Sequence, residues 1–136
     1  MRGFAPPPRR ALEIGSGLTP LPDHEHLDAR ADLPGVDHVA DIRSPLPFPD
    51  ATFDHVSSRN CLEHVSWRQV GAVLGEWARI LKPNGTLDLW TPDFEYLCRQ
   101  YLAGRSDLHL DPALQKEARE TLGGYDASAW ALVKMF

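Results

Sequence analysis

Hydrophobic and polar positions change their period along the chain at about residue 66. Before that point, apolar residues form short runs bounded by Gly, Pro and Asp, which is the pattern of buried strands. After it, apolar residues recur at helical spacing until a further short apolar run begins at residue 86. The pattern predicts strands over residues 10–14, 25–29, 36–42, 53–58 and 86–91.

Helices are predicted where apolar positions are three and four residues apart. The first begins after Ser66, a residue type that caps helix N-termini, and ends at a turn over residues 83–85. A second begins after Asp93, and a third at Asp111 with Pro112 in the first helical position. The apolar face of the first helix is expected to contain Trp67, Val70, Val73, Leu74, Trp77, Ala78 and Leu81.

Strands that alternate with helices predict an α/β fold with a mostly parallel sheet of about five strands and flanking helices. Ligands of such sheets bind at the carboxyl ends of the strands. Between the first two strands, Pro20 and Pro22 exclude a regular helix, so a loop should replace the first crossover helix. The 136 residues are expected to form one domain, with a Pro-rich lead-in over residues 1–9.

Candidate binding residues lie at the predicted strand ends. A Gly-rich bend, Gly15-Ser16-Gly17, follows the first strand, where glycine permits positive φ angles and lets a ligand approach the backbone. Asp28 and Asp41 lie at the ends of the second and third strands, and Asn60 lies just past the fourth. A nicotinamide dinucleotide site is disfavoured, because Pro20 stands where the third Gly of its motif belongs. The ribose-binding acid of that motif should also come about 20 residues on, and Asp28 comes sooner.

In their order and spacing, these segments resemble the class I S-adenosylmethionine-dependent methyltransferases, and within them a small bacterial group called methyltransferase type 11-like. The resemblance rests on residues 12–17, 39–42, 46–54, 61–65 and 80–87. It implies a Rossmann-like fold and S-adenosyl-L-methionine as cofactor. The family fold ends in an antiparallel strand pair, which is expected to be missing from this chain.

The resemblance also implies roles for individual residues. The bend at 15–17 would receive the amino-acid end and the ribose, and Glu13 would help to hold the methionine amino group. Asp28 would accept both ribose hydroxyls, and Asp41 would accept the adenine amino group. The cofactor-binding set implied in this way is Glu13, Gly15, Ser16, Gly17, Asp28, Asp41, Ile42 and Asn60.

Catalysis by methyl transfer requires a positioned acceptor and, for an oxygen acceptor, removal of its proton. His64 is the first candidate for the general base, because an unperturbed imidazole titrates near neutrality, and Glu63 is the second. The alternative interpretation of His64 is that it caps or braces the next helix. The predicted function is methyl transfer to O or N of a small-molecule or sugar-like acceptor. The alternative is a non-catalytic domain of the same fold that acts through a partner protein or as a homodimer.

Composition narrows the range of partners. A net charge of −5 argues against nucleic acid, and no apolar stretch reaches the ~20 residues that span a bilayer. Two cysteines in apolar contexts and no recognisable signal peptide predict a cytoplasmic protein. His24, His26 and Asp28 have the spacing of metal ligands but no fourth partner, so no metal is predicted. The edge of the fifth strand is the expected contact for a second copy or another protein.

Overall fold

The computed structural model describes residues 9–103, whose five parallel strands form one sheet in the order β3-β2-β1-β4-β5. This confirms the predicted α/β fold with its parallel sheet and flanking helices. The elements are β1 (Ala11–Ile14), β2 (Glu25–Asp28), β3 (His38–Val39), β4 (Phe53–Arg59), one 3₁₀ turn (Leu62–His64), α1 (Trp67–Ile80), β5 (Leu81–Trp90) and α2 (Phe94–Leu102).

The sheet has an apolar and a polar face, because side chains alternate along each strand. On the apolar face, Leu12 lies beside Val56 and Ile14 beside Leu27, all fully buried. Residues from α1 and from the β3–β4 connection complete this core. Its buried members are Leu12, Ile14, Leu27, Leu46, Phe53, Val56, Val65, Val73, Trp77 and Ile80.

Helix α1 begins where the pattern predicts, but its details differ. Trp67 and Ala78 were expected on the buried face, but Trp67 is 76% exposed and Ala78 is also exposed, since the buried residues of the helix are Val73, Trp77 and Ile80. Ser66 makes no side-chain capping bond. Its carbonyl instead accepts the backbone N–H groups of Gln69 and Val70.

The predicted end of α1 at residues 83–85 is wrong. The helix ends at Ile80, and Leu81 pairs with Phe53 as the first residue of β5. The Pro-Asn-Gly turn is instead an irregularity inside β5, where the register with β4 shifts between Phe53 and His55. Asn84 adopts a positive φ of 62° there. The same turn chemistry therefore bulges a strand rather than separating two elements.

The connections on the other side of β1 are short loops. No helix lies between β1 and β4 in the described chain, which confirms the loop predicted for the first crossover. Strand β3 is shorter than the predicted 36–42. Before it, the Asp37 carboxylate takes the place of a ladder partner and accepts the His26 N–H at 2.8 Å. After it, the chain turns at Asp41, whose carbonyl accepts the Ser44 N–H.

Helix α2 starts with the predicted cap, since Asp93 Oδ1 accepts the Tyr96 N–H at 3.0 Å. Across residues 9–103, the helices are too short or too polar to cross a membrane. The helix start at Asp111, the start of the Pro-rich lead-in and the expectation about a terminal strand pair lie outside the described residues.

Candidate functional site

The Gly-rich bend follows β1 at the carboxyl edge of the sheet. Gly15 and Gly17 have φ angles of 73° and 57°, which side chains rarely adopt. The Gly15 N–H donates to the Leu27 carbonyl at 2.8 Å and so fastens the bend to β2. A Cβ on Gly15 would be 2.6 Å from Cys61 Sγ, whereas one on Gly17 would meet no described atom within 4 Å. The bend is therefore closely packed at Gly15 and open at Gly17.

Asp28 faces this bend from the end of β2. Its Oδ2 accepts the Gly17 N–H at 3.1 Å, and its Oδ1 accepts the Arg30 N–H at 3.0 Å. The structure thus brings together two predicted elements of the site. The side chain is half-buried, and a carboxylate has about four lone-pair sites, so each oxygen retains capacity for a second donor.

Glu13 has different surroundings from those expected of a ligand-facing acid. It is fully buried, with Oε1 accepting from Arg59 Nη2 at 2.7 Å and Oε2 accepting from the Leu21 N–H at 2.7 Å. Its role toward an amino group stays a prediction. Ser16 is 3% exposed, and its Oγ has no hydrogen-bond partner among residues 9–103.

Arg59 is the residue of this site that the sequence analysis did not single out. The signal was present, because a buried acid in β1 requires a cation nearby, and Arg59 ends the adjacent strand. Which cation of the chain fills that role depends on the register between β1 and β4.

Asp41 and Ile42 follow β3 at the same edge. Hydrogen bonds from the Arg43 side chain and backbone lower the pKa of the Asp41 carboxyl to about 2. The closest contact joins Arg43 Nη2 and Asp41 Oδ2 at 2.7 Å. Ile42 is partly buried against the core. The acid predicted to face the adenine is therefore engaged by an arginine on its own turn.

The segment after β4 carries the remaining predicted residues. Asn60 has a φ of 50°, an exposed side chain, and a backbone N–H that donates to the Trp90 carbonyl at 2.9 Å. Burial raises the pKa of the Cys61 thiol to about 11. Burial also raises the pKa of the Glu63 carboxyl, whose two oxygens lack hydrogen-bond partners among residues 9–103. The neighbouring His64 is exposed, whereas the Glu63 side chain is half-buried with both carboxylate oxygens shielded from solvent.

The two histidines of the metal-like pattern bond to backbone carbonyls of the loop between β1 and β2. His24 Nδ1 lies 2.8 Å from the Pro22 oxygen, and His26 Nε2 lies 2.8 Å from the Leu21 oxygen. Over residues 9–103, no cluster of three His, Cys, Asp or Glu side chains is arranged to hold a metal ion.

A family model described as "Methyltransferase domain" matches residues 21–89, which is more than half of the chain. The chain belongs to this methyltransferase family. The match includes Asp28, Asp41, Asn60, Glu63 and His64 and begins after the Gly-rich bend. The resemblance to class I S-adenosylmethionine-dependent methyltransferases is confirmed by this match and by the fold.

Three proteins illustrate the similarity of this methyltransferase domain to known ones. A SAM-dependent methyltransferase structure from Archaeoglobus fulgidus is 20% identical, with a TM-score of 0.59 over 85% of this chain. SAM-bound CalS10, an amino pentose methyltransferase of Micromonospora echinaspora calicheamicin biosynthesis, is 25% identical, with a TM-score of 0.50 over 65%. The uncharacterised Escherichia coli K12 protein YafE is 55% identical over 42 residues, 31% of this chain. The matches span 60%, 44% and 19% of those proteins.

Proposed function

We propose that this methyltransferase domain binds S-adenosyl-L-methionine at the carboxyl ends of β1, β2 and β4. The observation that carries the proposal is the pairing of Asp28 with the Gly17 N–H beside an open stretch of backbone. Such a carboxylate can accept two vicinal ribose hydroxyls in addition to its backbone donors. The bend would then lie against the ribose and the amino-acid end.

Other residues around the bend suit the remaining parts of this cofactor. Ser16 has a buried hydroxyl that lacks a described partner and can bond the amino-acid end. Asp41 can accept the adenine amino group while it remains paired with Arg43, since its oxygens have further lone pairs. Ile42 offers apolar contact to the adenine ring, and Asn60 lies where the chain leaves β4.

The bound cofactor would supply a methyl group that its sulfonium already activates. The chain then has to hold an acceptor in line with that group and take up a proton. Glu63 suits proton uptake because burial raises the pKa of its carboxyl, and His64 suits it because it is accessible. We propose O or N of a small-molecule or sugar-like compound as the acceptor, and the amino pentose methyltransferase among the similar structures supports this class.

The test is a calorimetric titration of the protein with S-adenosylmethionine and with S-adenosylhomocysteine. Wild type should bind both, and Asp28→Ala should weaken binding by about 1.5–3 kcal/mol, roughly 10- to 150-fold. Asp32→Ala is the matched control, because Asp32 is an exposed acid four residues on that pairs with Arg30. Absence of binding to folded wild type would contradict the proposal, and an unchanged affinity of Asp28→Ala would remove that residue from the site.

A second candidate function is supported by the surface of β5. This strand is at one end of the sheet order of the described residues, and Leu87 and Leu89 are each 38% exposed, with Trp90 at 66%. An apolar strand edge favours pairing with another chain. On this alternative, the domain acts through a protein partner or as a homodimer without turnover. Sedimentation together with methyl transfer to an acceptor panel separates the two functions.

A further inference from the structure

Arg59 connects three parts of the site through one guanidinium. Its Nε and Nη2 donate to Glu13 Oε1 at 3.2 and 2.7 Å, and Nη2 also donates to the Thr19 carbonyl at 2.8 Å. Glu13 precedes the Gly-rich bend, and Thr19 follows it closely. The guanidinium therefore lies beside the bend and ties both of its ends to β4.

These contacts leave one edge of the guanidinium unused. A guanidinium has five N–H groups, and the bonds to Glu13 and Thr19 use the one on Nε and the two on Nη2. The two on Nη1 have no hydrogen-bond partner among residues 9–103. The side chain is 34% exposed, so this edge can reach a ligand.

The charges around the bend explain why the Nη1 N–H groups of Arg59 would matter for an anionic ligand. Cys61 lies against Gly15, and the charges of Glu63 and Asp28 add to burial in raising the pKa of its thiol, so both acids are near the bend. An anionic group that enters this region meets acids unless a cation receives it. Arg43 lies on the turn after β3, where it pairs with Asp41, whereas Arg59 is bonded to residues at both ends of the bend. Glu13 is sealed by Arg59 and Leu21, so its buried charge is balanced inside the protein.

We infer that Arg59 binds the carboxylate of the amino-acid end of the cofactor through Nη1, an inference that rests on the proposed function. Planar N–H groups of arginine suit a carboxylate, and charge-assisted bonds of this kind are strong. Arg59 thus has two roles: its inner edge holds Glu13 and the bend, and its outer edge selects ligands that carry a carboxylate.

The test compares two ligands that differ in the carboxylate alone. S-adenosylhomocysteine has it, and decarboxylated S-adenosylhomocysteine keeps the amine and lacks it. Calorimetry on wild type should show tighter binding of the first ligand. In Arg59→Gln, we expect the ratio of the two affinities to fall by about tenfold or more, because the variant lacks the charge that recognises the difference.

Glu13→Gln distinguishes a direct contact between Arg59 and the ligand carboxylate from an indirect effect on the shape of the Gly-rich bend. This variant removes the Glu13 charge and leaves the arginine in place, so the preference for the ligand with the carboxylate should stay at the wild-type ratio or rise, because Arg59 loses its internal counter-charge. If the ratio stays at the wild-type value in Arg59→Gln, or collapses equally in Glu13→Gln, the inference is wrong. Wild type that binds neither ligand would instead overturn the proposed function and this inference with it. Circular dichroism confirms that each variant is folded, and Arg59→Lys, which keeps the charge, should recover part of the ratio.

Discussion

The two faces of the sheet are built by different means. On the apolar face, α1 packs Val73, Trp77 and Ile80 onto the strands, and none of the three is more than 3% exposed. On the polar face, the loop of residues 15–24 bonds to Glu13, His26 and Arg59, and Ser57 lies beside Glu13 in the sheet. A helix satisfies its own backbone groups, so the strands below it need only be apolar.

A loop with two prolines cannot satisfy its own backbone, and the polar face supplies the missing partners. Arg59 donates to the Thr19 carbonyl, His26 donates to the Leu21 carbonyl, and Glu13 accepts the Leu21 N–H. Where a loop replaces the crossover helix, the charged and polar residues of this face therefore supply the hydrogen bonds that its backbone needs. It follows that a change on the apolar face should create a cavity, while a change on the polar face should leave a charge or a carbonyl without its partner.

Trp77→Ala should have the largest effect on stability. Trp77 is fully buried in the core, so the variant should lower the free energy of unfolding by about 3–5 kcal/mol, measured by urea denaturation. Helix α1 contains Gly71 and Gly75, which weaken it intrinsically, so it depends on this packing. Trp67→Ala is the control from the same helix. Trp67 is 76% exposed and contacts Arg68, and its loss should cost less than about 1 kcal/mol. Equal costs at the two positions would contradict the assignment of faces.

On the polar face, substitutions of Arg59 and Glu13 should have effects on stability that depend on each other. Arg59→Ala leaves the Glu13 carboxylate buried without its cation and should cost about 3 kcal/mol, at the lower end for such pairs because Arg59 is partly exposed. The double variant Arg59→Ala with Glu13→Gln should cost clearly less than the two single losses together, because the unpaired charge is gone. Urea unfolding of the four proteins measures this coupling. Additive losses would show that the pair contributes no mutual stabilisation.

The sequence predicted the apolar face better than the polar one, for a physical reason. Helical period placed Val73 and Trp77 on the buried side of α1, because burial follows directly from spacing. The same reasoning failed for Trp67, because spacing alone does not show how much of an apolar helix face the rest of the chain covers. Asp28 and the Gly-rich bend could be predicted because each lies at the carboxyl end of a strand, and parallel strands bring these ends to the same edge of the sheet.

Arg59 was missed because its role depends on long-range register. Glu13 lies beside Ser57, which places Arg59 one step further on the same face of the neighbouring strand. No local pattern expresses that relation. The short length of β3 was missed for a similar reason. The Asp37 carboxylate accepts the His26 N–H in place of a backbone carbonyl, and this bond depends on the position of β2 in the folded sheet.

Glu76 forms a polar contact at the rim of the apolar face, and its removal should have the smallest effect. Glu76 on α1 accepts from Arg79 at 2.6 Å and from the Leu46 N–H at 2.7 Å, and these bonds lower the pKa of the Glu76 carboxyl to about 2. Arg79 in turn donates to the Phe48 carbonyl and to Asp50, which fastens the β3–β4 connection to the helix. Glu76→Gln should therefore cost about 1–2 kcal/mol at pH 7.

The pH dependence of that loss distinguishes it from a cavity. A carboxyl with a lowered folded-state pKa stabilises the fold above its unfolded value of about 4.5, and this contribution is lost as the pH falls from there toward 2. The difference between wild type and Glu76→Gln should thus shrink between pH 7 and pH 3, whereas the difference for Trp77→Ala should be much the same at both. Glu95→Gln is the control, because Glu95 forms an exposed pair with Arg99 in α2, worth less than about 0.5 kcal/mol. A Glu76→Gln loss that is the same at pH 3 would mean that packing, and not the ionised carboxylate, joins the connection to the helix.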